Sequence, residues 1–443
     1  MIKIRLLKKI KPRQVAGLFV YRHLGLLLCN IIIVKKIYVK NKAPFLVRLY
    51  NLLLLFCNKV HLIDYKIDHK KYLDKLTKEH NIGFETNEIS KNALNRFISN
   101  VNQNPINPAT QLFINKELNR TFFNRKKIAE YINKYPDTKN IDVSRPIFIV
   151  GLPRTGTTAL QNMFSVLDDC RVLNLWELHY PTSYSEGVKA INNAKIQTKK
   201  YAFLQNFSKP EQKYIHPVGV DYPDECFRLL FNSFTSIAIS SALGLDEYEN
   251  WILKSDMSNT YKEYKIQLQI LSQSNPTKQL VLKAPEHLWN LDELLKVFPS
   301  ARIIMTHRDP LNSIVSYASM ISMFRRTAYS NSNFKRLGPY VTDTFENALN
   351  KAYTIREKLN SNNIIDIHCN DIHNKPLETF SRVCKVLRIN INNNDINDLK
   401  NWVEKDNLDA PGSHTYTHEK YGVNRELVEK KFQFYDHLQY LMN

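Results

Sequence analysis

The hydrophobic pattern of the chain is most informative between residues 147 and 167. Residues 147–150 form a short run of apolar and β-branched residues, which is typical of a buried parallel strand. The following residues are rich in glycine and threonine, and residues 159–167 then show the amphipathic pattern of a helix. The pattern therefore predicts a strand, a loop and a helix in direct succession.

The loop between this strand and this helix has the features of an anion site. Gly151 and Gly156 permit tight turns, and the N–H groups at the start of the helix should point at an anion. Those groups belong to Thr155, Gly156, Thr157 and Thr158. A nucleotide triphosphatase P-loop has Lys directly after the second glycine. Here that position is Thr157, and the cation, Arg154, lies inside the loop.

The segment Gly151-Leu-Pro-Arg-Thr-Gly-Thr-Thr158 resembles the 5′-phosphosulfate loop of sulfotransferases, which use 3′-phosphoadenosine-5′-phosphosulfate (PAPS) as sulfuryl donor. The resemblance implies a second motif, a strand followed by Arg and by Ser eight residues later, that binds the 3′-phosphate. Arg308 and Ser316 stand at those positions. Arg308 would hold the phosphate as a bidentate fork. Ser316, about two turns into the next helix, would face the same anion.

Further stretches resemble the bacterial and tyrosylprotein-like branch of this family. Residues 279–289 resemble its Leu-Lys-x-Pro-x-His strand and turn, and residues 216–230 resemble a helix start with Glu-Cys. Residues 364–387 resemble its late strand and helix, although Asn370 stands where relatives usually carry Glu. Residues 416–422 resemble a C-terminal loop that closes over the nucleotide. The resemblance extends from about residue 70 to the end of the chain.

The resemblance implies an α/β fold of the P-loop type, with three layers and a parallel sheet flanked by helices. We expect the sulfotransferase domain at residues 146–443, preceded by a helical N-terminal region at 67–145 that covers the acceptor pocket. Residues 1–66 form a separate basic and apolar segment. The implied activity is transfer of the sulfuryl group from PAPS to a hydroxyl of an acceptor. Lipid, glycan, phenol and peptide tyrosine all remain open as acceptors.

Sulfuryl transfer needs a cation at the leaving oxygen and a base at the acceptor hydroxyl. Arg154 suits the first task, because charge accumulates on that oxygen only as the bond breaks. The resemblance implies Glu177 as the base, and His287 is the next candidate, since a His after a buried strand titrates near neutrality. Glu225 is a third candidate, although its place at a helix start already explains it. Lys283 would touch the sulfonate or the acceptor.

The net charge of +20 is concentrated near the N-terminus. Residues 1–72 contain 16 Lys/Arg and 2 Asp/Glu, interleaved with aliphatic runs. A nucleic-acid protein would more typically spread its cations along a groove with aromatic platforms. The distribution therefore argues against a nucleic-acid partner and favours peripheral contact of residues 1–66 with an anionic membrane.

Two apolar runs in this segment, Leu24–Val34 and Ala43–Cys57, are too short and too interrupted to span a bilayer. In the second run, apolar residues fall on one helical face, as in an interfacial helix. The apolar residues of that face are Phe45, Leu46, Leu49, Leu52, Leu53, Phe56 and Val60. Packing of both runs on the core is the alternative, and a secretory signal is disfavoured because no small-x-small cleavage site follows.

The six cysteines show no metal-ligand spacing, so we expect neither a metal nor a disulfide framework and predict a reducing, cytoplasmic location. Two other functional classes compete with a sulfotransferase. A nucleotide kinase or triphosphatase on the same fold would need the Lys that Thr157 replaces. A catalytically silent membrane-surface binding protein would not need both phosphate motifs.

Overall fold

The computed structural model describes residues 39–78, 88–330, 332–358, 363–408 and 417–435, so Leu24–Val34 and Tyr416 lie outside it. The strands are β1 (Ile147–Gly151), β2 (Cys170–Arg171), β3 (Gln279–Lys283), β4 (Arg302–His307) and β5 (Ile364–His368). The helices up to β3 are α1 (Phe45–Lys59), α2 (His69–Lys78), α3 (Glu88–Gln103), α4 (Pro108–Lys134), α5 (Thr157–Ser165), α6 (Leu175–His179), α7 (Val188–Ser208), α8 (Gln212–Ile215), α9 (Phe227–Leu230), α10 (Ile237–Leu243), α11 (Asp246–Ile252) and α12 (Ser258–Ser272). The later helices are α13 (Leu291–Val297), α14 (Pro310–Ala328), α15 (Leu337–Arg356), α16 (Cys369–Asn374), α17 (Pro376–Leu387), α18 (Asn393–Leu408), α19 (His418–Tyr421) and α20 (Arg425–Lys431), and short 3₁₀ turns cover Pro136–Asn140, Phe231–Ser233, Pro285–Asn290 and Phe334–Arg336.

The strands of the described residues form one parallel sheet in the order β2-β3-β1-β4-β5. Strand β1 lies at the centre, and all five of its residues are buried, as the apolar run at 147–150 predicted. Ile149 pairs with Lys283 of β3 on one side and with Ile304 of β4 on the other. The predicted parallel α/β sheet is confirmed.

Helices cover both faces of this sheet. Alternate side chains of a strand point to opposite faces, so successive residues of β1 pack against different helices. Ile147 and Ile149 belong to an apolar cluster with Leu160 of α5 and Phe380 of α17. Phe148 belongs to a larger cluster that includes residues of α3, α4, α12, α14 and α15. The three-layer arrangement is therefore confirmed as well.

The carboxyl ends of the central strands meet at one edge of the sheet. The loop that begins at Gly151 follows β1, Lys283 ends β3, and Arg308 follows β4. Strand order reverses beside β1, since β3 and β2 lie to one side and β4 and β5 to the other. Ligands of open α/β sheets bind at such a switch point.

Helix α1 covers most of the second apolar run and ends two residues beyond it, and only a narrow stripe of the helix is buried. Val47, Asn51 and Leu54 are buried, and Oδ1 of Asn51 accepts a hydrogen bond from the backbone N–H of Ala109 on α4 at 2.9 Å. The apolar face named above is exposed instead, with Phe45 at 67% and Phe56 at 63%. Packing on the core therefore explains the buried stripe of α1 but not its exposed apolar face. No helix of the described ranges has the length and apolar character to cross a membrane.

The described part of the C-terminal loop, residues 417–422, packs against two distant segments. Tyr421 is buried, and its hydroxyl lies 2.9 Å from Oγ of Ser319 on α14. Nζ of Lys420 donates a hydrogen bond to the carbonyl of Val39 at 2.6 Å. This loop thus joins α14 to the first described residues of the chain.

Candidate functional site

The loop after β1 has a backbone that depends on Gly151. Gly151 has a φ of +147°, and a Cβ at this position would lie 2.4 Å from Oγ1 of Thr306 on β4. Gly156 has a φ of 92° and caps α5, which starts at Thr157. The first N–H groups of α5 therefore face the loop, where the helix dipole favours negative charge.

Thr155 anchors this loop to the neighbouring strand. Its Oγ1 donates a hydrogen bond to the carbonyl of Leu152 at 2.7 Å and lies 2.6 Å from Oγ1 of Thr306. The side chain is 1% exposed. Among the predicted nucleotide ligands, Thr155 thus offers its backbone N–H group, while its hydroxyl holds the loop in shape.

Arg154 lies where the two predicted phosphate motifs meet. Its Nε donates a hydrogen bond to Oγ of Ser316 at 3.3 Å, and its Nη1 donates one to the carbonyl of Ile215 at 3.0 Å. Nη1 of Arg308 donates to the carbonyl of Arg154 itself at 2.9 Å. The structure therefore brings Arg154, Arg308 and Ser316 together, although 154 residues separate the two arginines along the chain.

The backbone of Arg154 is strained, since its φ is 74°. A non-glycine residue in the left-handed region costs on the order of 1 kcal/mol, and such residues cluster at functional sites. The conformation directs the guanidinium to the carbonyl end of α8 and to α14.

The elements after β4 fix the second motif. Asp309 caps α14, because its Oδ1 accepts a hydrogen bond from the N–H of Asn312 at 3.2 Å. Ser316 lies within this helix and is 3% exposed. The half-buried Arg308 precedes the cap and points back at the loop after β1.

A third contact at this edge of the sheet joins Lys283, Glu225 and Thr158. Nζ of Lys283 donates hydrogen bonds to Oε1 of Glu225 at 2.8 Å and to Oγ1 of Thr158 at 3.3 Å. Lys283 is 1% exposed, whereas the side chain of Glu225 is 16% exposed. A buried cation is thus held between the start of α5 and a carboxylate.

A cavity of about 750 Å³ opens from these residues. Arg154, Thr157 and Thr158 line one part of it, and Glu225 and His216 lie beside them. Its remaining lining is mostly apolar and comes from helices of both halves of the chain. The volume falls in the range of pockets that bury a small ligand.

His216 is a titratable group that the sequence motifs did not single out. Burial lowers the pKa of its imidazole below the ordinary value, and Lys283 and Arg154 lower that pKa further, whereas Glu225 and Asp224 raise it. Within the described ranges, its ring nitrogens form no hydrogen bond. His216 stands at the start of the stretch 216–230 that resembles the family. This position is the feature of the sequence that could have identified it as a site residue.

Glu286 is another lining residue that the motifs did not assign. Its Oε2 accepts hydrogen bonds from Oγ of Ser236 at 3.0 Å and from the N–H of Ala238 at 2.9 Å. Burial raises the pKa of the Glu286 carboxyl to about 7. A group that is part protonated at neutral pH therefore faces the cavity.

Glu177, the first predicted base, does not line the cavity. Its Oε1 accepts a hydrogen bond from Nη2 of Arg171 at 2.9 Å, and its Oε2 accepts one from the N–H of Asn174 at 2.9 Å. The second bond is half of a capping box at the start of α6. Catalysis by Glu177 stays a prediction, and these contacts favour a structural role.

His287, the second predicted base, is enclosed among aromatic rings. It is fully buried, and its Nδ1 lies 2.9 Å from the hydroxyl of Tyr261. The rings of Phe148 and Tyr264 also contact the imidazole. Burial lowers its pKa to about 3. Its neighbour Glu286 lines the cavity but His287 does not, so its catalytic role likewise stays a prediction that the geometry does not favour.

Comparison with known proteins adds to this geometry. A family model described as "Sulfotransferase family" matches residues 146–393, which is more than half of the chain. None of the curated protein sequences compared with the chain is significantly similar to it.

Two solved structures share the fold over most of their length. Sulfotransferase STF1 from Mycobacterium tuberculosis H37Rv is 21% identical, with a TM-score of 0.70, and the match covers 83% of this chain and 98% of that one. Sulfotransferase STF9 from Mycobacterium avium is 20% identical, with a TM-score of 0.72, and the match covers 83% of this chain and 95% of that one. At this level of identity the similarity establishes the fold alone.

Proposed function

The chain belongs to the sulfotransferase family, and from this premise we propose that it transfers the sulfuryl group of PAPS to a hydroxyl group of an acceptor. The observation that carries the proposal is the contact between the two anion motifs. Arg154, which lines the cavity, touches Ser316, and Arg308 touches the backbone of Arg154. Two anion-binding motifs at one place suit a nucleotide with phosphate on both its 5′ and its 3′ position.

The two motifs would divide the nucleotide between them. The N–H groups of residues 155–158 and the guanidinium of Arg154 would hold the 5′-phosphosulfate. Arg308 and Ser316 would hold the 3′-phosphate. A triphosphate chain would instead require a Lys after Gly156, where this chain has Thr157.

In the reaction, the acceptor oxygen attacks sulfur while the bond from sulfur to the phosphate oxygen breaks. The products are a sulfate ester and adenosine-3′,5′-bisphosphate, and the hydroxyl proton passes to a base. Arg154 and the buried Lys283 would stabilise the negative charge that develops on the leaving oxygen. Both cations are fixed by protein contacts, so little reorganisation is needed during the reaction.

We assign the base to Glu225. Its carboxylate lines the cavity and shares Lys283 with Thr158 at the start of α5. A carboxylate at this place can accept the proton of an acceptor hydroxyl that enters the cavity. His216 is the second candidate, because its lowered pKa keeps the imidazole neutral at pH 7 and able to accept a proton.

Peripheral contact of residues 1–66 with an anionic membrane is the second part of the proposal. Its support within the described residues is the exposed apolar face of α1, together with the exposed Arg48 and Lys59 of the same helix. Apolar and basic residues together are typical of helices that lie in a membrane interface. A cytoplasmic location stays a prediction from the cysteine pattern.

The proposed activity is tested with sulfur-labelled PAPS, the purified full chain and a cell extract as the source of acceptors. We expect label in an organic product together with an equal amount of adenosine-3′,5′-bisphosphate. Arg154→Ala should lower the rate of both by on the order of a hundredfold, whereas Arg382→Ala, at an exposed site on α17, should change neither. Transfer of phosphate from labelled ATP in place of sulfate would support the kinase alternative.

A further inference from the structure

We propose that the acceptor is an alcohol with a long apolar chain, whose hydroxyl reaches the phosphate loop and whose tail extends to an opening between α1 and α7 that rests on an anionic membrane. This inference rests on the proposed sulfotransfer and names its substrate class. It follows from the lining of the cavity, the place of its opening and the surface around that opening.

The lining changes character along the cavity. Arg154, Thr157, Thr158 and Glu225 give the inner part its polar and charged groups. The rest of the lining is mostly aromatic and aliphatic, as at Leu112, Phe113 and Phe324, although the charged residues Lys116, Glu117, Arg120, Lys209 and Arg228 also line it. A glycan would leave many of its hydroxyl groups unpaired against such a wall, which is unfavourable. An alkyl chain would find apolar contacts with most of this lining.

The opening is marked by side chains that both line the cavity and are exposed. On α1 these are Leu46, at 55% exposure, and Tyr50, at 50%. On α7 they are Leu204, at 43%, and Phe207, at 47%. The cavity therefore reaches the surface at these two helices, where the exposed Lys116 of α4 also lines it.

The apolar surface continues outward from the opening. Phe203 on α7 is exposed and stacks on Phe207 with their ring centroids 6.2 Å apart. On α1, Leu49, Leu53 and Phe56 extend the exposed face beyond the lining residues. A contiguous exposed patch of this kind marks an interaction site. Because the patch is continuous with the lining, a partner that covers the patch would also contact the end of the tail bound in the cavity.

Charge identifies the partner as an anionic bilayer. Arg48 and Lys59 on α1 and Lys199 and Lys200 on α7 are exposed beside the apolar side chains. Such basic residues attract the anionic lipids of a membrane surface. A membrane would also supply the substrate, since an alcohol with a long tail partitions into the bilayer and can move into the opening without crossing water.

The first test measures binding of primary alcohols to the full chain, by titration calorimetry in the presence of adenosine-3′,5′-bisphosphate. Butanol, hexanol, octanol and decanol form the series. Each added methylene group should tighten binding by about fourfold, because burying one stabilises a complex by about 0.8 kcal/mol. An affinity that does not change from butanol to decanol would overturn the proposal.

The second test measures transfer of labelled sulfate to hexadecanol in vesicles. Phosphatidylserine vesicles should support faster transfer than phosphatidylcholine vesicles, and the double variant Leu53→Asp/Phe203→Asp should lose most of this activity. Both positions are exposed and lie outside the lining, so folding should persist. The matched control is Val386→Asp, at an exposed apolar position on α17, which should keep full activity.

The outcomes separate this inference from the proposed function. Sulfation of a short polar acceptor such as 4-nitrophenol, with no gain for long alcohols, would overturn the inference and leave the sulfotransferase intact. Tighter binding of longer alcohols without sulfate transfer to any acceptor would support the cavity assignment and overturn the proposed function. Equal activity of the double variant and wild type on vesicles would mean that another occupant, such as residues 1–38 or a protein, covers this face.

Discussion

Nε of Arg154 lies 3.3 Å from Oγ of Ser316, a residue that follows it by 162 positions. The contact joins the loop after β1 to the helix after β4, which are the elements that the sequence motifs assign to two different phosphates. The 5′-phosphosulfate would meet Arg154 and the 3′-phosphate would meet Ser316, so binding at the two motifs should be coupled through this pair.

Arg154→Ala should lower kcat by on the order of a hundredfold, because one preorganised donor to a developing charge is typically worth that much. Arg154→Lys should recover part of this loss, since it restores a cation but not the forked geometry. The measurement is steady-state turnover of labelled PAPS with a saturating acceptor. Unchanged kcat in Arg154→Ala would remove Arg154 from the chemical step.

Glu225→Gln should lower kcat by about a hundredfold or more, because general base catalysis contributes that much. His216→Gln is the comparison variant at the other candidate. The pH dependence of kcat separates them, since loss of the base removes the acid limb of the profile. If that limb survives in Glu225→Gln and disappears in His216→Gln, the base is His216.

Glu177→Gln should act on stability and leave kcat per folded molecule near the wild-type value. The carboxylate pairs with the buried Arg171, and removal of one partner of a buried ion pair destabilises a protein by about 3 kcal/mol or more. Urea denaturation gives this difference, and active-site titration normalises the rate. A stable variant with kcat lowered a hundredfold would restore the catalytic role that the sequence predicted for Glu177.

His287 should make the protein less stable in acid. Burial lowers the pKa of the folded imidazole from 6.5 to about 3, so between these values the unfolded state binds more protons than the folded state. Stability is therefore full above pH 6.5 and falls as the pH decreases toward 3, by about 1.4 kcal/mol for each pH unit from this group.

This dependence is measured by urea denaturation of wild type and His287→Gln at several pH values. Between pH 6 and 4 the wild type should lose more stability than the variant, by about 1.4 kcal/mol for each pH unit. His373→Gln, at an exposed position, is the control and should follow wild type. Parallel curves for wild type and His287→Gln would mean that the imidazole is accessible to protons in the folded state.

The strand at residues 147–150 and the phosphate loop were predictable because local sequence determines them, whereas the parallel sheet was implied by the resemblance to the family. A buried strand needs an apolar run such as residues 147–150, and Gly151 is required where a Cβ would meet Thr306. The approach of Arg154 to Ser316 follows from the parallel sheet, since parallel strands bring their carboxyl ends to one edge.

The base could not be predicted in the same way, because it depends on contacts between distant segments. Spacing from the loop suggested Glu177, but a capping box and Arg171 use both of its oxygens. Glu225 looked like an ordinary helix-start acid, and only the fold reveals its contact with Lys283, 58 residues away. The exposed face of α1 was visible as a pattern, but its continuity with the cavity required the structure.

The most direct test of the central claim is calorimetric titration with adenosine-3′,5′-bisphosphate and with adenosine 5′-phosphate, which lacks the second phosphate. Wild type should bind the bisphosphate at least about tenfold more tightly than adenosine 5′-phosphate, since a hydrogen bond to a charged group contributes about 1.5 kcal/mol or more. Arg308→Ala should fold normally and lose most of this preference. Equal affinities for the two nucleotides in wild type would contradict the account, because Arg308 and Ser316 would then hold no 3′-phosphate.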